Sequence, residues 1–362
     1  MKAHQPDYIL IVSLAFLLVL GLIVLTSASY FTGCEKFKDC YFFLKHQLLF
    51  GLLPGLVVFL FFFFFNHQHL KKIALPLLIF SLILSIAVFI PGIGLAKGEA
   101  RRWINVAGFV FQPAELLKFS FLIYLAAWLT KNQETIKSKT TFISFIILLG
   151  IAAGLIILQP DFGTSIVIIS VGVIVYFLAG APLTHLAILS GGIVAALLVL
   201  IKIAPYRLAR LTAFLHPETD PQGISYHINQ ALLAIGSGGI FGRGLGHSQQ
   251  KIYYLPEVVS DSIFAVVAEE LGFILTVTVI LLYIFLAYRI FKIAGSANNK
   301  FGFLLASGVG FWFIFQTMVN MAAMLNILPL TGIPLPFVSY GGSNLLIFSA
   351  AFGIVANISR QT

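Results

Sequence analysis

Residues 8–28 read YILIVSLAFLLVLGLIVLTSA, an apolar run without Asp, Glu, Lys or Arg. A helix needs roughly 20 apolar residues to cross a bilayer, so this run is long enough to span one. The remainder of the chain is similar, because 59% of its 362 residues are hydrophobic, only 10% are charged, and the mean hydropathy is +1.01. Soluble domains contain about 25% charged residues. The sequence therefore predicts an all-α integral membrane protein.

Apolar segments of this kind recur along the whole chain, and most connections between them are short. They predict a single polytopic membrane domain over residues 1–362 with about ten transmembrane helices. The predicted spans lie near residues 8–28, 46–65, 72–92, 113–130, 141–158, 164–181, 185–204, 263–288, 302–326 and 340–358.

The distribution of Lys and Arg predicts the orientation in the membrane. If the N-terminus is cytoplasmic, each side of the membrane receives ten basic residues. The inner ten lie in short connections, which are the connections that set topology. We therefore expect both termini to be cytoplasmic. Cys34 and Cys40 then share the first outer loop, where an oxidising exterior would permit a disulfide.

The formal net charge is +9, and part of it falls in the predicted outer loops, which could receive an anionic ligand. No basic cluster with interleaved aromatic residues marks a soluble domain, so nucleic acid is not an expected partner. The longest connection, about residues 204–262, is predicted to be an outer loop. Ile228, Leu232 and Ile235 recur at helical spacing and predict an amphipathic helix between residues 224 and 235. We expect this loop to be ordered.

A second irregular stretch, LPLTGIPLPFVSYGGSN, covers residues 328–344. Its prolines and glycines are incompatible with a regular helix. Irregular backbone at membrane depth must be buried in protein or must line a wet cavity. A surface loop is the alternative interpretation.

Four of the chain's 13 carboxylates fall in residues 253–273, YYLPEVVSDSIFAVVAEELGF. The SDS sequence before an apolar run is typical of a helix N-cap, and a capped, ionised Asp261 could also accept a proton. Asp261 and Glu269 do not fit the two-carboxylate geometry of glycoside hydrolases, because eight helical residues span about 12 Å and point about 80° apart. A single catalytic carboxylate fits better. We expect Glu269 and Glu270 to pair internally with a basic group or a helix end.

Charged and polar residues also interrupt other apolar segments. Glu115 and Lys118 are three residues apart in a predicted helix, which predicts an ion pair inside the membrane with either a functional or a packing role. Arg102 at the outer boundary could bind phosphate. Asp161, between two apolar segments, is interpreted as an N-cap. A structural metal is not expected, because no tetrahedral ligand spacing is formed by His216, Glu218, Asp220 and His227.

Four motifs then occur in order along the chain: QPAELLKF, LQPDFGTS, GLGHSQQKIYYLPEVVSDSIFAVVAEELGF and PLTGIPLPFVSYGGSN. Together they resemble the SEDS family (shape, elongation, division and sporulation) over essentially the whole chain, with the division branch the more similar. The resemblance implies ten transmembrane helices and peptidoglycan glycosyltransferase activity on lipid II. It also implies a partner, a class B penicillin-binding protein, together with other division proteins.

The resemblance assigns roles to particular residues. The essential aspartate of the family matches Asp261, and its membrane glutamate and lysine match Glu115 and Lys118. The family usually has Thr-Asp-Phe at the aspartate, whereas this chain has Ser260, Asp261 and Ser262. The aromatic neighbour is therefore replaced by a hydroxyl, which bears on local packing.

The sequence thus predicts septal glycan polymerisation at the cell (inner) membrane, with Asp261 as the general base. The predicted substrate-binding residues are Arg102, Arg207, Arg210, Arg243, Lys251 and Glu257. No cofactor is required by the sequence, although a Mg²⁺ or Mn²⁺ ion could accompany the substrate pyrophosphate. The alternative function is a lipid II flippase whose polar path would be lined by Glu115, Lys118 and Asp161. A non-catalytic scaffold is a third interpretation.

Overall fold

The computed structural model describes residues 5–97, 100–106, 109–203, 205–216 and 223–361. It is a bundle of apolar helices, as the composition predicts. The helices are α1 (Tyr8–Phe37), α2 (Phe42–Gln47), α3 (Leu53–Phe64), α4 (Leu70–Ala87), α5 (Pro113–Lys131), α6 (Lys139–Leu158), α7 (Phe162–Leu178), α8 (Leu183–Ile203), α9 (Pro205–Leu215), α10 (Ile224–Ser237), α11 (Ile263–Gly295), α12 (Lys300–Met324) and α13 (Gly342–Ser359). A π-helical turn, Leu48–Leu52, joins α2 to α3, and a 3₁₀ turn, His67–His69, precedes α4.

Within the described residues, eight helical segments are long and apolar enough to cross a membrane. Two further apolar helices, α7 and the described part of α8, are shorter. These segments match the ten predicted positions, and the number that cross the bilayer stays a prediction. α13 lies at the centre of the bundle, since 89% of its residues are buried, whereas the α2–α3 segment is peripheral with 17% buried.

Close helix packing at the centre depends on small residues. A Cβ added at Gly353 of α13 would lie 2.6 Å from the carbonyl oxygen of Phe59 in α3. One added at Gly55 of α3 would lie 2.9 Å from the Ser349 hydroxyl of α13. Small residues let helix backbones approach closely, which is the main means of helix association in lipid. The close contact between α3 and α13 therefore requires glycine at positions 55 and 353.

A three-stranded antiparallel sheet was not predicted. Its strands β1 (Gly94–Lys97), β2 (Ala100–Val106) and β3 (Phe109–Phe111) connect α4 to α5 in the order β1-β2-β3. The expectation of a span reaching residue 92 is wrong, because α4 ends at Ala87 and the chain turns into the sheet. The disulfide between Cys34 and Cys40 is present and joins the end of α1 to the start of α2.

The long connection before α11 is ordered where it is described. The predicted amphipathic helix is confirmed as α10, and α9 is a second helix that was not predicted. The predicted span 263–288 lies within α11, which is long and apolar enough to cross a membrane, but this helix is broken at Gly272, where φ is 75° and ψ is −178°. The predicted irregular stretch is irregular over residues 328–341, whereas its last three residues belong to α13. It is packed inside the protein: Ile333, Leu335 and Val338 are at most 3% exposed.

Candidate active site

Asp261 lies half-buried in a tight turn that leads into α11. Glu257 starts the turn with a left-handed backbone conformation (φ 48°), and its carbonyl accepts hydrogen bonds from the amides of Ser260 and Ser262 at 3.1 and 3.2 Å. The N-cap of α11 is Ser262 rather than Asp261, and its side chain makes no capping hydrogen bond. The N-cap position therefore falls on Ser262 and not on Asp261, which corrects the interpretation from the sequence.

The backbone around Asp261 is fixed by the irregular stretch and by α12. The Asn320 side-chain amide donates to the carbonyl oxygens of Asp261 and Ile333, both at 2.8 Å. The Ser339 hydroxyl donates to the Ser260 carbonyl at 2.5 Å. These bonds hold the peptide groups on both sides of the carboxylate, so its position is set by tertiary structure.

Gly332 approaches the Asp261 carboxylate directly. Its φ is +73°, a conformation that favours glycine, and a Cβ built there would lie 3.5 Å from Asp261 Oδ2. A side chain at this position would therefore contact the carboxylate and would also be strained by the backbone conformation.

The predicted ion pair between Glu115 and Lys118 is present and buried. Lys118 Nζ lies 2.8 Å from Glu115 Oε1, and the two side chains are 3% and 2% exposed. The Asn344 amide donates to Glu115 Oε2, and Lys118 donates to Gln316 Oε1, both at 3.0 Å. The pair thus links α5 to α12 and α13, and each of its two charged groups has a protein hydrogen-bond partner besides the other.

A chain of hydrogen bonds connects this ion pair to the Asp261 turn. Gln316 accepts from Lys118 and donates to the Pro334 carbonyl at 3.0 Å. Asn320, one helical turn further along α12, holds the carbonyls of Ile333 and Asp261. The ion pair thus supports the same irregular stretch that positions Asp261.

The N-termini of α5, α7 and α13 are connected by hydrogen bonds. The Gln112 amide, preceding α5, donates to the Ser343 hydroxyl of α13 at 3.0 Å, and its side chain donates to Asp161 Oδ2 at 3.1 Å. Asp161 is the N-cap of α7, as predicted, with Oδ1 accepting from the Thr164 amide at 3.2 Å. Arg102 donates to the carbonyls of Gln159 and Pro160, immediately before this cap.

Glu269 and Glu270 pair internally with basic groups, as predicted. Lys251 Nζ lies 2.6 Å from Glu270 Oε1, and both side chains are at most 4% exposed. Arg243 Nε lies 3.8 Å from Glu269 Oε1, and the Ser248 hydroxyl donates to the other oxygen of Glu269 at 2.5 Å. Two of the cations predicted to bind substrate are therefore engaged with carboxylates of α11.

The loop that carries these cations forms hydrogen bonds with the backbone groups on both sides of the break in α11. The amides of Arg243 and Gly244 donate to the carbonyls of Glu269 and Glu270 at 3.0 Å. The Phe273 amide, just past the break, donates to the Gly239 carbonyl at 2.9 Å. Backbone groups freed by a broken helix need such partners in an apolar environment.

The remaining predicted residues occupy other positions. Glu257 is exposed, and its carboxylate accepts from the Ser260 hydroxyl at 2.9 Å. Arg207 and Arg210 lie in α9, but their side chains, like Glu218 and Asp220, lie outside the described residues. Among the described residues, no three His, Cys, Asp or Glu side chains form a group that could hold a metal ion.

Several residues of the site were missed by sequence reasoning. Gln316 and Asn320 are four residues apart in an apolar helix and are 0% and 1% exposed. Polar residues within a membrane helix are a functional signal, and this spacing places them on one face. Ser339 and Gly332 lie in the irregular stretch, where position cannot be inferred from periodicity.

Comparisons with known proteins identify the family of the chain. Residues 8–362 match the family described as "Cell cycle protein", which comprises FtsW, RodA and SpoVE. The chain belongs to this SEDS family. It is 41% identical, over 99% of its length and 94% of the relative's, to a probable peptidoglycan glycosyltransferase FtsW of Trichlorobacter lovleyi. It is 39% identical to stage V sporulation protein E of Bacillus subtilis, covering 100% of this chain and 99% of that one.

Solved SEDS structures have the same fold. A chain from a peptidoglycan synthase complex, whose structure describes the coordination of polymerization and crosslinking, superposes with a TM-score of 0.80 at 28% identity, with 98% of each chain covered. The rod shape determining protein RodA of Thermus thermophilus superposes with a TM-score of 0.73 at 29% identity, covering 98% of this chain and 97% of that one. The all-α membrane fold predicted from the sequence is thereby confirmed.

Proposed function

We propose that this chain is a peptidoglycan glycosyltransferase that polymerises lipid II into glycan strands. Two relatives support the assignment: the FtsW protein named as a probable peptidoglycan glycosyltransferase and the chain of the peptidoglycan synthase complex. The observation that carries the proposal is the Asp261 turn. Asn320 and Ser339 hold the backbone carbonyls of Asp261 and Ser260, and Gly332, which lies beside the half-buried carboxylate, adds no side chain there.

In the proposed reaction, Asp261 acts as the general base. The acceptor sugar's 4-hydroxyl oxygen attacks C1 of the donor sugar as its proton passes to Asp261. The bond between C1 and the diphosphate oxygen breaks, and undecaprenyl diphosphate leaves with the electron pair. A positioned base contributes roughly 10² to 10⁴ to the rate of such a step. The fixed backbone on both sides of Asp261 suits this role, because a base must lie within hydrogen-bond reach of the proton.

The leaving diphosphate needs positive charge nearby, and this part of the proposal rests on basic residues around the outer loop. Of Arg243, Lys251 and Arg102, Arg243 is the most able to reorient, since its side chain is 34% exposed, lies 3.8 Å from Glu269 and donates one hydrogen bond, to the Ser237 carbonyl. Lys251 would have to break a buried 2.6 Å contact, and Arg102 would have to release two carbonyls. Arg207, Arg210 and Glu257 stay proposed contacts. A divalent cation at this site would be held by the diphosphate oxygens themselves.

The flippase alternative is supported less well. It needs a polar path across the bundle, for which Glu115, Lys118 and Asp161 were the candidates. All three are buried and bonded to protein partners, as part of the packing between helices. Rearranging them into a path would break a buried ion pair, which costs several kcal/mol.

The test that separates the two functions uses detergent-solubilised chain with lipid II and a class B penicillin-binding protein. No membrane is left to cross, so formation of glycan strands supports the transferase. Absence of glycan in detergent, together with changed accessibility of lipid II in vesicles, would support the flippase and would refute the proposal.

We propose further that the chain acts in the cell (inner) membrane at the division septum, with both termini in the cytoplasm. The relatives include proteins named for division and for sporulation, so the division role rests on similarity. The proposed partner is a class B penicillin-binding protein, together with other division proteins. A fluorescent fusion at midcell supports this role, and signal confined to the sidewall would contradict it.

A further inference from the structure

A histidine of the outer helix α10 contacts the residue that follows Asp261. His227 Nε2 lies 2.6 Å from the Ser262 hydroxyl oxygen, and that hydroxyl also lies 2.7 Å from the Pro256 carbonyl oxygen. A carbonyl can only accept, so Ser262 donates its single hydrogen to Pro256. His227 Nε2 must therefore carry a hydrogen and donate it to Ser262.

Ser262 does not use this hydroxyl to cap α11. It occupies the N-cap position, where a serine oxygen ordinarily accepts from a helix amide, yet it makes no such bond. The side chain is fully buried, with 0% exposure, and its oxygen faces the Pro256 turn and α10 instead. The Ser262 hydroxyl thus links α10 to the Asp261 turn and does not stabilise the start of α11.

This link completes the attachment of the Asp261 backbone to its surroundings. Ser339 of the irregular stretch holds the preceding carbonyl, and Asn320 of α12 holds the carbonyl of Asp261 itself. His227 holds the side chain of the following residue. The turn is therefore hydrogen-bonded to three separate elements. His227 supplies the bond from the long connection before α11.

We propose that His227 is a positioning residue for Asp261 and acts through Ser262. The inference rests on the proposed function, because it assumes that Asp261 receives a proton. The SEDS resemblance places an aromatic residue where this chain has Ser262, so packing at this position is here replaced by a directional hydrogen bond. A displacement of about 1 Å at a reacting group can lower the rate about 100-fold. Loss of the bond should therefore lower kcat and leave KM nearly unchanged.

The test measures glycan formation from lipid II by the full chain with its penicillin-binding protein partner. His227→Leu and Ser262→Ala should each lower kcat about ten- to 100-fold, with KM within about twofold. The double variant should be no slower than the slower single variant, because both substitutions remove the same His227–Ser262 hydrogen bond. His227→Gln should keep activity within about threefold, since the amide nitrogen can donate to Ser262. His247→Leu is the matched control and should match the unmodified chain, because His247 lies in an exposed loop and contacts the Leu245 carbonyl.

The outcomes separate this inference from the proposed function. If the unmodified chain makes no glycan, the proposed function fails, whatever the variants do. If it makes glycan and His227→Leu is as fast, the positioning role is wrong. The role is also overturned if His227→Leu and His227→Gln lose activity equally with lowered thermal stability, because a structural anchor would then explain both.

Discussion

Removing one member of the buried ion pair should destabilise the protein strongly. Lys118→Met would leave the Glu115 charge, which is 98% removed from solvent, without its basic partner and with the Asn344 hydrogen bond to Oε2. Breaking a buried pair in this way costs about 3–5 kcal/mol. Gln316 would also lose a donor, which adds about 1 kcal/mol. We therefore expect a decrease of about 4–6 kcal/mol in the free energy of unfolding.

The matched variant is the double substitution Glu115→Gln with Lys118→Met. It removes both charges while the new amide can still contact Asn344, so the cost should be smaller than the sum of the single costs by about 3 kcal/mol or more. Reversible unfolding in detergent micelles, followed by tryptophan fluorescence, gives the free energies of the unmodified chain, the single variants Lys118→Met and Glu115→Gln, and the double variant. Single variants within about 0.5 kcal/mol of the unmodified chain, or strictly additive effects, would refute the reasoning.

Three further perturbations have defined outcomes. Gly332→Ala should lower glycan formation about tenfold or more, because its Cβ would lie 3.5 Å from Asp261 Oδ2 in a strained conformation, whereas Gly236→Ala, with no atom within 4 Å, should leave it unchanged. Lys251→Met should lower the melting temperature by leaving Glu270 buried and unpaired, and adding Glu270→Gln should restore most of it; a double variant as unstable as the single would contradict this. Reducing the disulfide at the end of α1 should lower the melting temperature, because the disulfide constrains the unfolded chain. It should leave glycan formation unchanged, because the short loop that it closes lies outside the site. A loss of glycan formation on reduction would contradict this.

The sequence predicted the features that depend on local pattern. Apolar run length located the helices, and the three-residue spacing of Glu115 and Lys118 predicted their contact. The helical recurrence of Ile228, Leu232 and Ile235 predicted α10. These features need only the residues of one segment, so tertiary structure was not required.

Features that depend on distant contacts were not predictable in this way. The pairing of Lys251 with Glu270 requires the loop to fold back onto the break in α11, and the break itself depends on a single glycine, Gly272. The hydroxyl of Ser262 has the sequence position of a cap, but His227 and Pro256 compete for it successfully. Short strands between apolar helices also gave no clear alternation, so the sheet was missed.

In the proposed reaction, Asp261 is the acceptor of the sugar proton. The direct measurement is the rate of glycan formation by purified Asp261→Asn chain with lipid II and the penicillin-binding protein partner. Asp39→Asn is the control, since Asp39 lies in the connection between α1 and α2 and pairs with Lys45. We predict that Asp261→Asn lowers the rate by about 10² to 10⁴ while thermal stability and lipid II binding are kept. A rate within about twofold of the unmodified chain would contradict the central claim.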